Sequence, residues 1–493
     1  MSKMHERLAE SAGRLKNNIF CYVTVACLLV MLCVVLLQGG GAIAGCNVAV
    51  IGLMLLNFII AITCLWREMQ QAPFSLAQVH WVFYATFFSI APASQYLTNI
   101  WPWGIAPTDS ELIIANIIVL IWGIIFQALR HALNCKRPIC EHNIGEEVEN
   151  GTCIKLDDRN SSAVTFVALI AFVTTVCVTG IDNLVFRTES AIQFESTAVG
   201  LFMSVFPRGI MVAAAIGMLA NFIQSRNYPI KTLFVVSFTI ITCLPTALAR
   251  FNVAAIYLGI LIVISNKLRT TKGLYIFLLT GGLIVAYPIL DAFKYVNSSD
   301  SVETILGAIA KCVSAGYSTP NYDAYSILIW GLRYIEDFGI TYGAQLLGAL
   351  LFFIPRSIWN GKPIPTGQLI FETYQYPFTD ISCPLPCEGL MNFGLLGSAV
   401  FALIYALLTY YLDRKNWSND SRSKPSAWSI CIKMYYPVLL SLTFYMLRGA
   451  LMNTMTFVGG YLAAFMAIAL LISATSRKPE EVDELGHEDV KNN

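Results

Sequence analysis

Four arginines and one glutamate carry most of the chemistry this sequence can do. Arg356 follows Pro355 in the run Phe352-Phe353-Ile354-Pro355-Arg356-Ser357-Ile358-Trp359-Asn360-Gly361-Lys362-Pro363, a proline-stiffened cationic loop in a chain otherwise made of apolar runs. Arg208 follows Pro207 inside an apolar run, Arg250 ends Thr246-Ala247-Leu248-Ala249-Arg250, and Arg448 opens the turn Arg448-Gly449-Ala450. A guanidinium fork matches phosphate oxygens bidentately, and arginine in hydrocarbon is costly unless a cavity or partner receives it. Arginines at the mouths of several helices converge only if those helices surround one cavity, so the pattern predicts a phosphate or pyrophosphate site. Each has a structural alternative: Arg208 can snorkel to an interface, Arg250 can brace a turn, Arg356 can pair with a carboxylate, and Arg448 can anchor a helix end. Glu388 is the external carboxylate best placed to take a hydroxyl proton, with Asp323 and Glu336 in reserve. Alternatively it caps the helix that begins two residues later.

What must position these residues is a membrane bundle. The chain has 493 residues, 56% hydrophobic and 13% charged, with mean hydropathy +0.62, against about a quarter charged in soluble domains. A net charge of +1 argues against nucleic acid as a partner, and the first apolar run leads into further runs rather than to a cleavage site. A span needs about 20 apolar residues. Runs of that kind lie near 19–38, 42–65, 79–100, 111–130, 162–180, 198–223, 231–249, 251–265, 273–290, 390–412, 433–448 and 451–474. This predicts an all-α polytopic protein with about twelve transmembrane helices. Basic residues between the runs, among them Arg67, Arg130, Lys267, Arg269, Arg414 and Lys415, put both termini in the cytoplasm.

The expected organisation is a cytoplasmic lead-in at 1–18, nine spans within 19–290 with a cytoplasmic loop at 131–161, an external cap at 291–389, three spans within 390–475, and an acidic tail at 476–493. Residues 343–354 are apolar but too short to cross, and a crossing there would invert the basic 413–433 loop, so they read as a half-inserted or surface-lying helix. The cap far exceeds a simple connection and should hold short helices. Cys383 and Cys387 lie in the cap, where a bridge can persist, though the intervening prolines stiffen so short a loop. His131, Cys135, Cys140, His142 and Cys153 match no closed zinc spacing, and no Asp-x-Asp pair occurs in the external segments, so neither metal nor cofactor is called for. Cap aromatics such as Trp359 and Tyr374 either stack on sugar faces or form an interfacial belt.

Tyr342-Gly343, Leu350 through Phe353, Ile354-Pro355-Arg356-Ser357-Ile358-Trp359 and Gly361-Lys362-Pro363 together resemble the signature of bacterial oligosaccharide repeat unit polymerases, the Wzy O-antigen polymerases. Glu388-Gly389-Leu390-Met391-Asn392-Phe393-Gly394 resembles the same family's acidic residue followed by an Asn-Phe-Gly helix start, and the Arg250 and Arg448 turns match its external arginines more loosely. The resemblance implies a GT-C-like bundle in the bacterial inner membrane, transferring a growing glycan from undecaprenyl pyrophosphate to a lipid-linked repeat unit at the outer face. By this resemblance Arg356, Arg250 and Glu388 are catalytic, and Arg208, Arg448, Lys362, Arg333, Asp323 and Trp359 bind substrate. A chain-length regulator and membrane lipid are the implied partners. The alternatives are a ligase-like lipid-linked glycan transferase or a lipid-linked oligosaccharide flippase. The histidines all fall on the cytoplasmic side of the expected topology, which sets the chain apart from ligases with an external histidine.

Overall fold

The computed structural model describes residues 2–40, 45–139, 154, 156–185, 197–292, 301–314, 316–378, 381–417 and 426–475. The acidic tail, Cys140, His142 and Cys153 lie outside them. Among the described residues every regular element is helical, in the order α1 (Ser2–Gln38), α2 (Val48–Gln71), α3 (Leu76–Ala85), α4 (Ala91–Thr98), α5 (Asp109–Lys136), α6 (Asp158–Thr179), α7 (Thr197–Ser225), α8 (Pro229–Thr242), α9 (Arg250–Ile264) and α10 (Asn266–Thr270). There follow α11 (Leu274–Gly281), α12 (Tyr287–Ala292), α13 (Val302–Ser314), α14 (Ala324–Phe338), α15 (Ala344–Leu350), α16 (Thr366–Thr373), α17 (Leu385–Trp417), α18 (Ala427–Arg448) and α19 (Leu451–Thr475).

Helix starts follow local side-chain chemistry. Asn47 accepts from Ala49 N ahead of α2, Ser75 from Gln78 N ahead of α3, and Thr108 with Glu111 forms a reciprocal capping box on α5. Pro229 opens α8, where its missing N–H costs nothing.

Eight helices are long and apolar enough to cross a membrane, so the protein is an all-α polytopic membrane protein. Pro229–Thr242, Arg250–Ile264 and Leu274–Ala286 are shorter apolar helices. Each of the twelve apolar runs of the sequence corresponds to one of these eleven stretches or to the Leu76–Thr98 passage. Within their most apolar windows α7 and α18 are 72% buried, whereas α1 is 28% buried. The first two therefore lie inside the bundle and α1 on its outside. Helix α9 packs along α18, α19 along α7 and α18, and α5 along α17.

Two passages depart from α-helical winding. Thr86–Ile90 links α3 to α4 as a π-helical turn, and Gly282–Ala286 links α11 to α12 in the same way. Helix α17 is broken at Phe393 (φ −142°) and Gly394 (φ 68°, ψ −157°), so the Asn-Phe-Gly of the sequence marks a break between Leu385–Asn392 and the long helix that follows. The 343–354 segment contains only the seven-residue α15, about 10 Å long.

Candidate functional site

The α18–α19 turn organises the best-formed polar cluster. Gly449 leaves no room for a side chain between Tyr445 and Thr454, so the chain reverses tightly and presents Arg448 at the end of α18. Arg448 Nη2 donates to Pro320 O at 2.7 Å and to Asp323 Oδ1 at 2.9 Å. Asp323 is buried and also accepts from Ser382 Oγ at 2.7 Å and Trp103 Nε1 at 2.9 Å. It thus ties three separate segments to one carboxylate.

Arg250 opens α9 and reaches the same turn from the other side. Its Nη2 donates to Asn321 Oδ1 at 2.8 Å and lies 3.1 Å from Asp291 Oδ1, while Nη1 donates to Tyr287 O at 3.3 Å. The guanidinium sits 4.1 Å over the Tyr287 ring, within cation–π range. Tyr287 and Asp291 are four residues apart on α12 and share a face, and Asn321 Nδ2 closes the set by donating to Asp291 Oδ2 at 2.6 Å. Two arginines from different helices therefore hold the Pro320–Asp323 stretch. Burial drives the Tyr322 hydroxyl well above its usual range, and the charges of Arg250 and Arg448 oppose that shift. Tyr317 is likewise pushed up to about 12 by burial.

A cavity of about 190 Å³ adjoins this cluster. Thr86 and Phe87 from one π-turn and Leu283 and Ile284 from the other form part of its wall, Met31 of α1 contributes an apolar edge, and Tyr287 and Asn321 are shared with Arg250. π-turns recur at functional sites because the extra residue re-aims side chains. The chamber combines hydroxyls and an apolar edge beside a cation, which suits a ligand with a polar, anionic end and a hydrocarbon end.

Glu388 is tied to the α18–α19 turn but stands apart from the cavity wall. It is 1% exposed and accepts from Thr366 Oγ1 at 2.6 Å and from Leu451 N at 2.7 Å. Leu451 opens α19, so Glu388 satisfies an orphan donor at the positive end of that helix. The capping role falls on α19 rather than on the helix that contains Glu388. The Cys383 and Cys387 thiols are free, and burial raises the Cys383 thiol further from ionisation.

The remaining sequence candidates sit elsewhere. Arg356 donates to Lys362 O at 2.7 Å and Pro363 O at 3.1 Å, while Lys362 Nζ donates to Phe352 O at 2.6 Å and Ile354 O at 2.9 Å. The two cations knot their own loop, with Arg356 exposed, Lys362 buried and Trp359 half-buried between them. Burial, and then the charge of Arg356, pushes the Lys362 ammonium below its usual range. Arg333 forks onto Glu111 at 2.5 and 3.1 Å and onto Ala106 O at 2.9 Å, bracing the start of α5, and its Glu111 hydrogen bond raises its already high affinity for the proton. Arg208 lies along α7 and bonds to neutral acceptors, Thr242 O, Ser204 O and Thr179 Oγ1. The adjacent Gly209 packs against Ala464 and Tyr461 of α19, the latter ten residues past the start of that helix, about 15 Å along it.

Thus Arg250, Arg448 and Asp323 come together, and Glu388 joins through the α18–α19 turn. Sequence reasoning missed Asp291, Asn321 and Tyr287. An Asp and a Tyr four apart at the C-terminal end of an apolar run were the available signal. No family model, curated protein or solved structure matches the chain.

Proposed function

We propose that this chain is an oligosaccharide repeat unit polymerase of the Wzy O-antigen type, acting on undecaprenyl-pyrophosphate-linked glycans at the outer face of the bacterial inner membrane. In this reading the twelve helical passages span the membrane as a GT-C-like bundle, both termini are cytoplasmic, and residues 291–389 form the periplasmic cap. The observation that carries the proposal is the convergence of Arg250 and Arg448, from two helices, on one turn beside a cavity with both polar and apolar walls.

The leaving pyrophosphate gains negative charge as its bond to the growing glycan breaks. Fixed guanidinium groups that bind it more strongly in the transition state lower the barrier. Asp291 and Asp323 hold the two forks in place beforehand, so little reorganisation is needed when the charge appears. The acceptor sugar hydroxyl loses its proton to a carboxylate, a contribution of about 10²- to 10⁴-fold. Asp291, bonded to the cavity-lining Asn321, is best placed for this among the carboxylates described. Glu388 sets the start of α19 and hence the Arg448 turn. Arg356, Lys362 and Trp359 form the stiffened rim of the cap, and Arg208 supplies a deeper cation toward the lipid.

The test is the surface-glycan profile of a strain lacking this chain and re-expressing either the intact protein or Arg250→Ala. The intact chain should restore a ladder, and the variant should leave a single repeat on the acceptor. Loss of even that first repeat in the deleted strain would instead indicate a ligase or flippase.

A further inference from the structure

The half of the bundle away from the Arg250 cluster holds ionised groups that glycan transfer does not use. Arg130 Nη2 lies 2.8 Å from Asp413 Oδ2 and 3.4 Å from Glu68 Oε2, with side chains 1%, 0% and 3% exposed. Among the described residues Arg130 is the one cation bonded to either carboxylate. Their other partners are neutral donors: Tyr436 Oη and Leu76 N on Asp413 Oδ1, at 2.5 and 2.8 Å, and Gln127 Nε2 on Glu68 Oε1 at 3.4 Å. Two carboxylates facing one guanidinium carry a surplus negative charge where water is excluded. Burying an uncompensated ion costs several kcal/mol, and a group in that position takes up a proton instead.

His80 on α3 is fully buried among Trp81, Tyr84, Phe126 and Tyr405, and neither of its ring nitrogens has a hydrogen-bond partner. Tyr405 Oη on α17, Trp122 Nε1 on α5 and Arg130 Nε itself are also buried without partners. The other titratable groups facing the cluster are Cys64 on α2, Tyr84 on α3 and Tyr436 on α18, and Lys272 is held on the Gln70 carbonyl.

We propose that Glu68, Arg130 and Asp413 form a proton-binding site, in which one exchangeable proton delivered by hydronium is held as a carboxyl O–H on Glu68 or Asp413. Uptake brings the charge of the site from −1 to zero; the O–H bond that breaks is that of the hydronium donor, which leaves as water. From the same helices a hydrogen-bonded rail runs outward, Tyr84 Oη to Asn57 Oδ1 at 2.8 Å, Asn57 Nδ2 to Asn116 Oδ1 at 3.1 Å and Asn116 Nδ2 to Tyr325 Oη at 2.7 Å. Tyr325 is two residues from Asp323, so the rail ends beside the Arg448 turn.

The full-length chain in lipid, studied by infrared difference spectroscopy, tests this directly. At neutral pH the intact protein should show a buried protonated-carboxyl C=O band that shifts in deuterium oxide and disappears in both Glu68→Gln and Asp413→Asn. A missing band, or one that survives both substitutions, overturns the proposal. Because Glu68→Gln mimics the proton-loaded state, that variant should also fold and melt at the temperature of the intact chain. Its failure to fold would overturn the proposal as well, since a neutral isostere would then be unable to replace the loaded carboxyl.

Discussion

Arg250 serves three acceptors and one ring at once. Arg250→Lys keeps the charge but reaches only one direction of that set, so polymer yield should fall more than tenfold with protein level unchanged in membranes. Arg356 makes an informative contrast, because its fork closes on the carbonyls of its own loop. Arg356→Lys should loosen that loop, seen as faster thiol labelling of a cysteine at 360, with a smaller loss of polymer than Arg250→Lys. Equal losses would return Arg356 to the phosphate-binding set. At Glu388 the amide and the methyl separate two roles. Glu388→Ala strands Leu451 N and Thr366 and should cost about 1–3 kcal/mol, read as a lower melting temperature in detergent. Glu388→Gln retains an acceptor for Leu451 N and should keep both fold and polymer; normal melting without polymer would make Glu388 the proton acceptor.

At the scale of the element, the break in α17 decides where Glu388 and Asn392 sit. Gly394 adopts φ 68° and ψ −157°, a region open essentially to glycine alone, and a Cβ on Gly397 would collide with the Gly389 carbonyl oxygen. Asn392 then clamps the short segment by donating to Glu388 O at 2.8 Å and accepting from Leu346 N at 2.9 Å, which joins the cap helix α15 to the bundle. Gly394→Ala should therefore lower stability by about 1–3 kcal/mol, measured by thermal unfolding, and loosen α15 with it. The existence of these helices was legible in the sequence, since apolar runs of span length admit few alternatives. The break was not: Asn-Phe-Gly read as a helix start, and only the backbone angles reveal that helix lies on both sides of it.

Across the whole molecule, hydropathy determines which segments are helices, and tertiary contact determines what each charge does. Arg130 reads as a cytoplasmic loop cation by position, yet it is buried between Glu68 and Asp413, residues 62 and 283 positions away. Arg333 and Glu111 are 222 positions apart, and Arg250 finds Asp291 and Asn321 across the cap boundary. No local pattern encodes such pairings, which is why the arginines could be nominated as a group while only two of them converge. The expected sidedness is open to direct test: cysteines placed at the exposed positions 357 and 360 should react with an impermeant reagent from outside, and one at the exposed position 267 only after permeabilisation. Labelling of 360 from the cytoplasmic side alone would invert the cap.

The π-turn at Gly282–Ala286 gives this architecture a sensitivity to residue count. It accommodates one more residue than an α-turn of the same span, and the α12 residues Tyr287 and Asp291 are phased by it. Deleting a single residue between 282 and 286 should let the passage rewind as continuous α-helix with everything beyond it kept close to its present phase. Tyr287 and Asp291 would then still face Arg250, while the widened turn that lends Leu283 and Ile284 to the cavity wall is lost. The cation cluster and the cavity wall beside it can thus be uncoupled by one codon.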